Sequence, residues 1–311
     1  SFVRGLVDSQ DVTLNISREM LQHDRQLKLI RTSLERKIKN ELTSWLANDR
    51  EKYEEFFGNF GLQLKVGAYS QFGAEADNLK DLLLFRSAKL EKLVTLSEYL
   101  EAMPEGQTYI YYAAGGKDSA ARLAALPQAG LVMDKGYDLL LLTEEVDEFV
   151  LQVMRKYGEG DDAKEFRNIS GGDLGLESED EKKEIEAQNE AHKPLFEAMQ
   201  KALEGKVKEV RVSGRLGDNP VIITAEGGLS LEMEKVLNSM PSGEKVESTK
   251  VLELNADHPI FAKLKALSDA GDTEKLDVYT GLLYDQALMI EGLPVADPAA
   301  YSRAVSALLA E

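Results

Sequence analysis

Leu14-Asn15-Ile16-Ser17-Arg18-Glu19-Met20-Leu21-Gln22 joins two contrasting pieces of chain. Before it, Phe2-Val3-Arg4-Gly5-Leu6-Val7-Asp8 reads as an extended run. After it, Met20, Leu27, Ile30, Leu34, Ile38, Leu42 and Trp45 recur at three-, four- and seven-residue spacing, the stripe of one long helix from about Arg18 to Trp45. Ser17 suits the N-cap, where its hydroxyl can accept from a free amide of the first turn. Glu19 agrees with the helix dipole and Arg18 opposes it, by roughly 0.3–1 kcal/mol when exposed. Free backbone N–H groups plus a guanidinium fork form a candidate phosphate site. Spacing alone admits a solvated arginine as well, and both readings stay open at this point.

Outward from that junction, three short helices follow, over 49–57, 78–85 and 95–103, the last stopped by Pro104. With the first helix they read as a small helical subdomain. The rhythm changes at Thr108. Thr108-Tyr109-Ile110-Tyr111-Tyr112-Ala113, Tyr137-Asp138-Leu139-Leu140-Leu141-Leu142 and Lys164-Glu165-Phe166-Arg167-Asn168-Ile169-Ser170 read as strands, separated by helices over 119–126 and 144–157. Strands alternating with helices imply parallel pairing through right-handed crossovers. The polar, acidic stretch 171–180 is the expected linker, dividing a domain over 1–170 from one over 181–311. The second domain opens with a charged helix over 179–203. It continues with strands over 207–212, 221–224 and 250–254 around a helix over 229–240, and closes with helices over 259–267, 273–290 and 298–309. Pro259 and Pro298 take first-turn positions, as helix starts prefer. The expected fold class is α+β with an α/β layer: a helical subdomain, a small α/β unit, then an α+β domain.

Composition narrows the function. The 311 residues carry 43% hydrophobic and 30% charged side chains, as globular proteins do. There are no cysteines, so disulfides and thiolate zinc sites are excluded. No apolar run is long enough to span a bilayer. A first residue other than methionine, inside strand-like sequence, points to a piece of a longer protein. The net charge of −18 argues against nucleic acid as a partner. That charge is uneven. Residues 158–190 hold twelve acids against four bases, whereas 18–40 hold seven bases against three acids. A basic helix face of the second kind is either simply solvated or a docking surface.

Autonomous chemistry finds little support. Gly115-Gly116-Lys117-Asp118 invites a phosphate-loop reading, but Tyr111 stands where the first glycine belongs and Asp118 replaces the required Ser or Thr. A strand-to-helix turn accounts for it better. His23, His192 and His258 lie far apart, so no metal site is expected. The carboxylates pair with no convincing nucleophile or base. Leu229, Met233, Val236, Leu237 and Met240 share one helix face. Leu276, Tyr279, Leu283, Ala287 and Ile290 form a second stripe, and Tyr301, Ala304, Val305, Leu308 and Leu309 a third. The last two exceed what one small domain buries, and such hairpins commonly pack against a symmetry mate.

The words of the sequence add a family. Ser1-Phe2-Val3-Arg4-Gly5-Leu6-Val7-Asp8-Ser9 with Leu14 to Gln22 resembles the middle domain of the 90-kDa heat-shock protein chaperones. The resemblance continues, in the family's order, at Asp81 to Ser87, Ile110 to Tyr112, Lys135 to Asp138, Val146 to Phe149, Asn219 to Ile223, Leu254 to Ile260 and Leu283 to Leu288. It implies a middle-plus-C-terminal piece of an ATP-dependent chaperone, with Arg18 reaching the terminal phosphate of ATP held by a separate N-terminal domain. Asn15 and Gln22 would line the same loop and helix start. ATP and magnesium would belong to the full-length protein only, and this chain alone would be no enzyme. The resemblance also implies that unfolded or partly folded client proteins are gripped by Leu229, Met233, Val236 and Leu237, with a second patch at Glu148, Phe149 and Gln152. Leu276, Tyr279, Leu283, Ala287, Tyr301, Val305 and Leu308 would form a homodimer seam. The end at Ala310-Glu311, with no acidic recognition tail, suggests a bacterial, cytoplasmic member. The rival reading is a dimerising scaffold that binds no client.

Overall fold

A computed structural model describes residues 25–241 and 245–310. By its internal contacts the chain forms two compact units, Ser1–Leu84 and Phe85–Glu311. The stretch 171–180 lies inside the second.

The first unit is helical. Helix α1 (Arg25–Asn48) meets α2 (Arg50–Gly73) across one residue, Asp49, whose side chain accepts from the Lys52 amide and caps α2. The helix read from sequence over 49–57 therefore runs one continuous course to about Tyr69, beyond which Gln71 and Phe72 take left-handed φ angles of 52° and 56°. Helix α3 (Ala76–Leu79) and a 3-10 turn (Lys80–Leu82) complete the unit. Tyr53 and Phe57 bury their rings here, and the Tyr53 hydroxyl donates to the Leu82 carbonyl. Among the described residues of the expected α1 stripe, Leu42 is the one fully buried.

The second unit contains two sheets. The first takes β1 (Leu84–Ser87), β2 (Leu93–Thr95), β3 (Ile110–Ala114), β4 (Leu140–Leu142), β5 (Lys156–Tyr157) and β6 (Lys164–Asn168) in the order β2-β1-β4-β3-β6-β5. Strand β3 is parallel to both neighbours, with Tyr112 opposite Leu140 and Ile110 opposite Phe166. Central parallel strands are covered on both faces, which explains the unbroken apolar run of β3 and β4. Residues 84 and 85, read from sequence as the end of a helix, are strand instead. A solid Leu-Leu-Leu-Phe run carries no period to separate the two; antiparallel pairing of Arg86 with Leu141 settles it. Helices α4 (Leu96–Ala102), α5 (Ala120–Ala124), α6 (Pro127–Asp134) and α7 (Asp147–Met154) link these strands. Thr95 and Glu98 form a reciprocal capping box at the start of α4. Helix α7 is shorter than the sequence suggests, because Arg155 turns left-handed and β5 begins.

The segment 171–180 is tied down. Leu174 is buried, its carbonyl accepts from the Tyr111 hydroxyl at 2.9 Å, and Asp173 accepts from the Gly175 amide at 2.7 Å. Helix α8 (Glu179–Ala191) then starts with a Ser178–Glu181 capping box. Pro194 in the first turn of α9 (Lys193–Ala202) breaks the helix read as continuous over 179–203.

The second sheet has the order β7-β9-β8, built from β7 (Glu209–Val212), β8 (Val221–Glu226) and β9 (Thr249–Leu254). Val210 faces Leu252 in parallel register and Ile223 faces Leu252 in antiparallel register. One face of the sheet packs Leu252 and Leu254 against α9, α11 (Pro259–Ala270) and α12 (Thr273–Glu291), through Met199, Phe261, Leu264 and Leu283. Helix α10 (Leu231–Ser239) lies between β8 and β9 in sequence, and α13 (Pro298–Leu309) ends the chain.

On the opposite face, alternation along β9 points Glu253 inward as well. It is 0% exposed. Arg215 donates to both its oxygens, Arg211 donates at 2.8 Å and Thr224 at 3.0 Å. Burial alone would push this carboxyl up, but the two guanidiniums outweigh it and hold Glu253 below the usual range. Arg215 also donates to the carbonyls of Gly171 and Gly172. Replacing Arg215 by alanine leaves the buried carboxylate with Arg211 and Thr224 alone and should cost on the order of 3 kcal/mol in urea unfolding. Proteolytic cutting near Gly172 should rise in the same variant. An unfolding midpoint equal to wild type would rule the network out as a support.

Candidate functional site

Glu148 sits in the first turn of α7, where the helix dipole favours an acid, yet its side chain faces inward and is 3% exposed. Tyr112 of β3 donates to its Oε1 at 3.1 Å and Asn168 of β6 donates to the same oxygen at 2.8 Å. Ser230 donates to Oε2 at 2.5 Å. That serine is the N-cap of α10, its Oγ accepting from the Met233 amide at 3.0 Å. One hydroxyl therefore caps α10 and fastens it to α7. Two further bonds reinforce the junction. Gln152 donates to the Gly228 carbonyl at 3.0 Å, and the Gly116 amide donates to Glu232 Oε1 at 2.9 Å. Burial raises the Glu148 pKa despite its three hydrogen-bond donors, and pushes the Tyr112 hydroxyl well above its ordinary value.

Helix α10 turns part of its apolar face inward. Leu231, Met233 and Val236 are buried, Leu229 and Leu237 are half-buried, and Met240 is exposed. Phe149 is half-buried and Gln152 is exposed on its outer side.

The C-terminal hairpin divides its stripes differently. Leu276, Leu283 and Ala287 belong to the chain's own core, with Tyr279 packed on its edge. Helix α13 buries no side chain fully: Tyr301, Ala304, Val305 and Leu308 are half-exposed and Leu309 is exposed. Val278 and Met289 are the exposed apolar side chains of α12.

The far end of α12 is also held by a buried carboxyl. Glu291 accepts from Ser170 Oγ at 3.0 Å and from Gln128 Nε2 at 3.3 Å. Arg122 donates to its backbone carbonyl at 2.7 Å, and the guanidinium lies so close to Gly292 that a Cβ there would come within 2.8 Å. Gly292 caps α12 with φ 73°, a second reason for glycine. Burial raises the Glu291 pKa to about 7 against its hydrogen bonds and Arg122.

A concavity of about 310 Å³ beside α8 is lined by Glu177, Glu181, Glu184 and Asp257 and by no basic side chain. The amide of Gly116, in the turn that imitates a phosphate loop, is already occupied by Glu232. Among the described residues no cluster of His, Asp and Glu could hold a metal, and no helix is long and apolar enough to cross a membrane.

Comparison with known proteins identifies the lineage. The model of the Hsp90 protein family matches residues 1–311. The chain belongs to the Hsp90 family. It is 54% identical over 97% of its length to a chaperone protein HtpG of Oceanobacillus iheyensis. It is 53% identical over 100% to that of Halalkalibacterium halodurans, and 52% over 97% to that of Bacillus subtilis. In each case it spans about half the length of the relative, 47%, 48% and 47%.

For this Hsp90 chain, Asn15, Arg18 and Gln22 lie outside the described residues. The two patches expected to meet clients come together: Glu148 and Gln152 of α7 contact the N-terminal end of α10. They do so partly through a group the sequence reading did not single out, Ser230, while Glu232 fastens α10 to the Gly116 turn after β3. A Ser-Leu-Glu-Met run is a helix-start signal and would have found Ser230. Nothing local signals Glu291, whose partners lie 121 and 163 residues away.

The sign of the Glu291 shift sets a pH dependence. An acid whose folded pKa is raised takes up protons on folding. The stability this contributes is complete below about 4.5 and is lost as pH rises through about 7. Thermal melts from pH 5 to pH 8 should therefore show a larger decline for the wild-type chain than for Glu291→Gln. The gap should be on the order of 3 kcal/mol at most. Parallel curves would show that this carboxyl does not titrate on folding.

Proposed function

We propose that this chain is the client-handling, self-associating half of an ATP-dependent chaperone of bacterial, cytoplasmic type. The observation that carries the reading is the family match over residues 1–311, with relatives named as chaperones that are about twice as long. In the whole protein, ATP and magnesium belong to a domain outside this sequence. Arg18, flanked by Asn15 and Gln22, supplies positive charge to the transferring phosphate from its helix start. Clients bind along α10 and its junction with α7, through Leu229, Met233, Val236 and Leu237 beside Glu148, Phe149 and Gln152. Methionine suits such work because its thioether adapts to varied apolar surfaces.

Two copies associate through α12 and α13. Tyr301, Val305 and Leu308 supply the open stripe, and Val278 and Met289 are the exposed apolar side chains of α12. Leu276, Tyr279, Leu283 and Ala287 hold α12 to its own core and so fix the seam's backing. The burial of Met233 and Val236 favours the second reading, a dimerising scaffold without clients, because covered side chains grip nothing until they are released.

Two experiments separate these. Arg18→Ala in the full-length protein should leave ATP affinity nearly unchanged and lower turnover by about 10³-fold or more; normal turnover sinks the arginine's role. The double variant Met233→Ser, Leu237→Ser should lose suppression of aggregation of an unfolded protein. Light scattering should still give about twice the 34.4 kDa chain mass. If the unmodified chain dimerises but never suppresses aggregation, the scaffold reading stands.

A further inference from the structure

Two buried carboxylates, Glu148 under α10 and Glu291 at the end of α12, belong to different helices and to no common motif. They are nevertheless joined by an unbroken line of hydrogen bonds. Ser230 donates to Glu148 at 2.5 Å, and Asn168 Nδ2 donates to Glu148 at 2.8 Å. The other end of the same amide, Asn168 Oδ1, accepts from the Ser170 amide at 2.9 Å. Ser170 Oγ then donates to Glu291 at 3.0 Å. Ser170 also lends its carbonyl to the Ala225 amide of β8 at 3.0 Å, so all three of its polar groups are committed.

The middle of this line is rigid. The planar amide of Asn168 satisfies Glu148 and Ser170 together in one orientation, and a rotation that breaks one bond breaks the other. Glu148 and Glu291 are both buried, so neither can replace a lost donor with bulk water without opening the fold. Glycines flank both ends: Gly227, with φ 88°, and Gly228 precede α10, and Gly292 follows α12. The α10 terminus can thus turn without straining a side-chain-bearing residue, whereas Gly292 packs against Arg122, which holds the α12 terminus in its seat.

We propose that Asn168 and Ser170 couple the seat of α10 to the seat of α12. Whatever lifts Ser230 from Glu148 loosens Glu291, and the reverse holds with the same coupling free energy. Asn168 and Ser170 are positioning residues here; neither meets a ligand. The functional meaning rests on the client and dimer reading above: a client that draws α10 away is felt at the helix carrying the seam. The coupling itself needs no client.

Hydrogen–deuterium exchange on this chain tests it with three mild truncations. Ser230→Ala should speed exchange of the amides of 287–292 by about ten-fold or more, although Ser230 touches none of them. Ser170→Ala, which keeps both backbone bonds of that residue, should speed exchange of 231–236 comparably. In an Asn168→Ala background each remote effect should vanish. Amides of β9 and of α11 around Leu264 serve as the control for general loosening and should not change. Remote effects that are absent, or that persist without Asn168, overturn the proposal. Coupling that is present while the chain fails to suppress aggregation sinks the client reading and leaves the coupling standing.

Discussion

Glu253 occupies the centre of the three-stranded sheet, one residue from Leu252 and Leu254 on the strand that both neighbours pair with. A lone carboxylate there would cost several kcal/mol of desolvation. The position is tenable because Arg215 and Arg211 converge on it, and Arg215 is held in turn by the carbonyls of Gly171 and Gly172. The ion cluster therefore ties the sheet to the chain that enters it from β6. A hydrophobic replacement of the whole cluster could be as stable, but it would not specify where Gly171 and Gly172 must lie. In this sense the cluster contributes geometry more than free energy.

The same logic recurs where the two sheets of the second unit meet. Glu148, Glu232, Glu291, Asn168, Ser170 and Arg122 carry much of that junction, and each is satisfied by a partner on another element. Hydrogen bonds of this kind are directional and exchangeable with water on opening. An apolar seam of similar area would resist opening without selecting a register. A polar seam is suited to elements that must return to one defined seat after moving.

Sequence reading found what is local. The β-rich runs read over 108–113 and 137–142 appear as shorter strands, Ile110–Ala114 and Leu140–Leu142, and the proline starts at Pro259 and Pro298 and the three terminal helices appear where periodicity and capping put them. Resemblance in motif order supplied the family, which periodicity alone never would. Two kinds of feature escaped. The run Leu82 to Phe85 has no period, so only the partner β4 shows that strand begins at Leu84, after Leu82 closes a 3-10 turn. Glu148 is reached through the resemblance, but its burial is not, because its donors Tyr112, Asn168 and Ser230 lie 36, 20 and 82 residues away. Likewise the stripe Leu276, Leu283, Ala287 is a true helix face, but spacing cannot say whether the core or a neighbour will cover it.

Helix α13 buries none of its twelve residues fully, whereas α12 beside it buries seven of its nineteen. A helix of that length is marginal in water unless tertiary packing supports it. If a second copy covers its open stripe, as proposed above, the order of this last segment is governed by mass action, tightening as protein concentration rises and fraying on dilution, while the sheet beneath α11 and α12 stays indifferent to concentration.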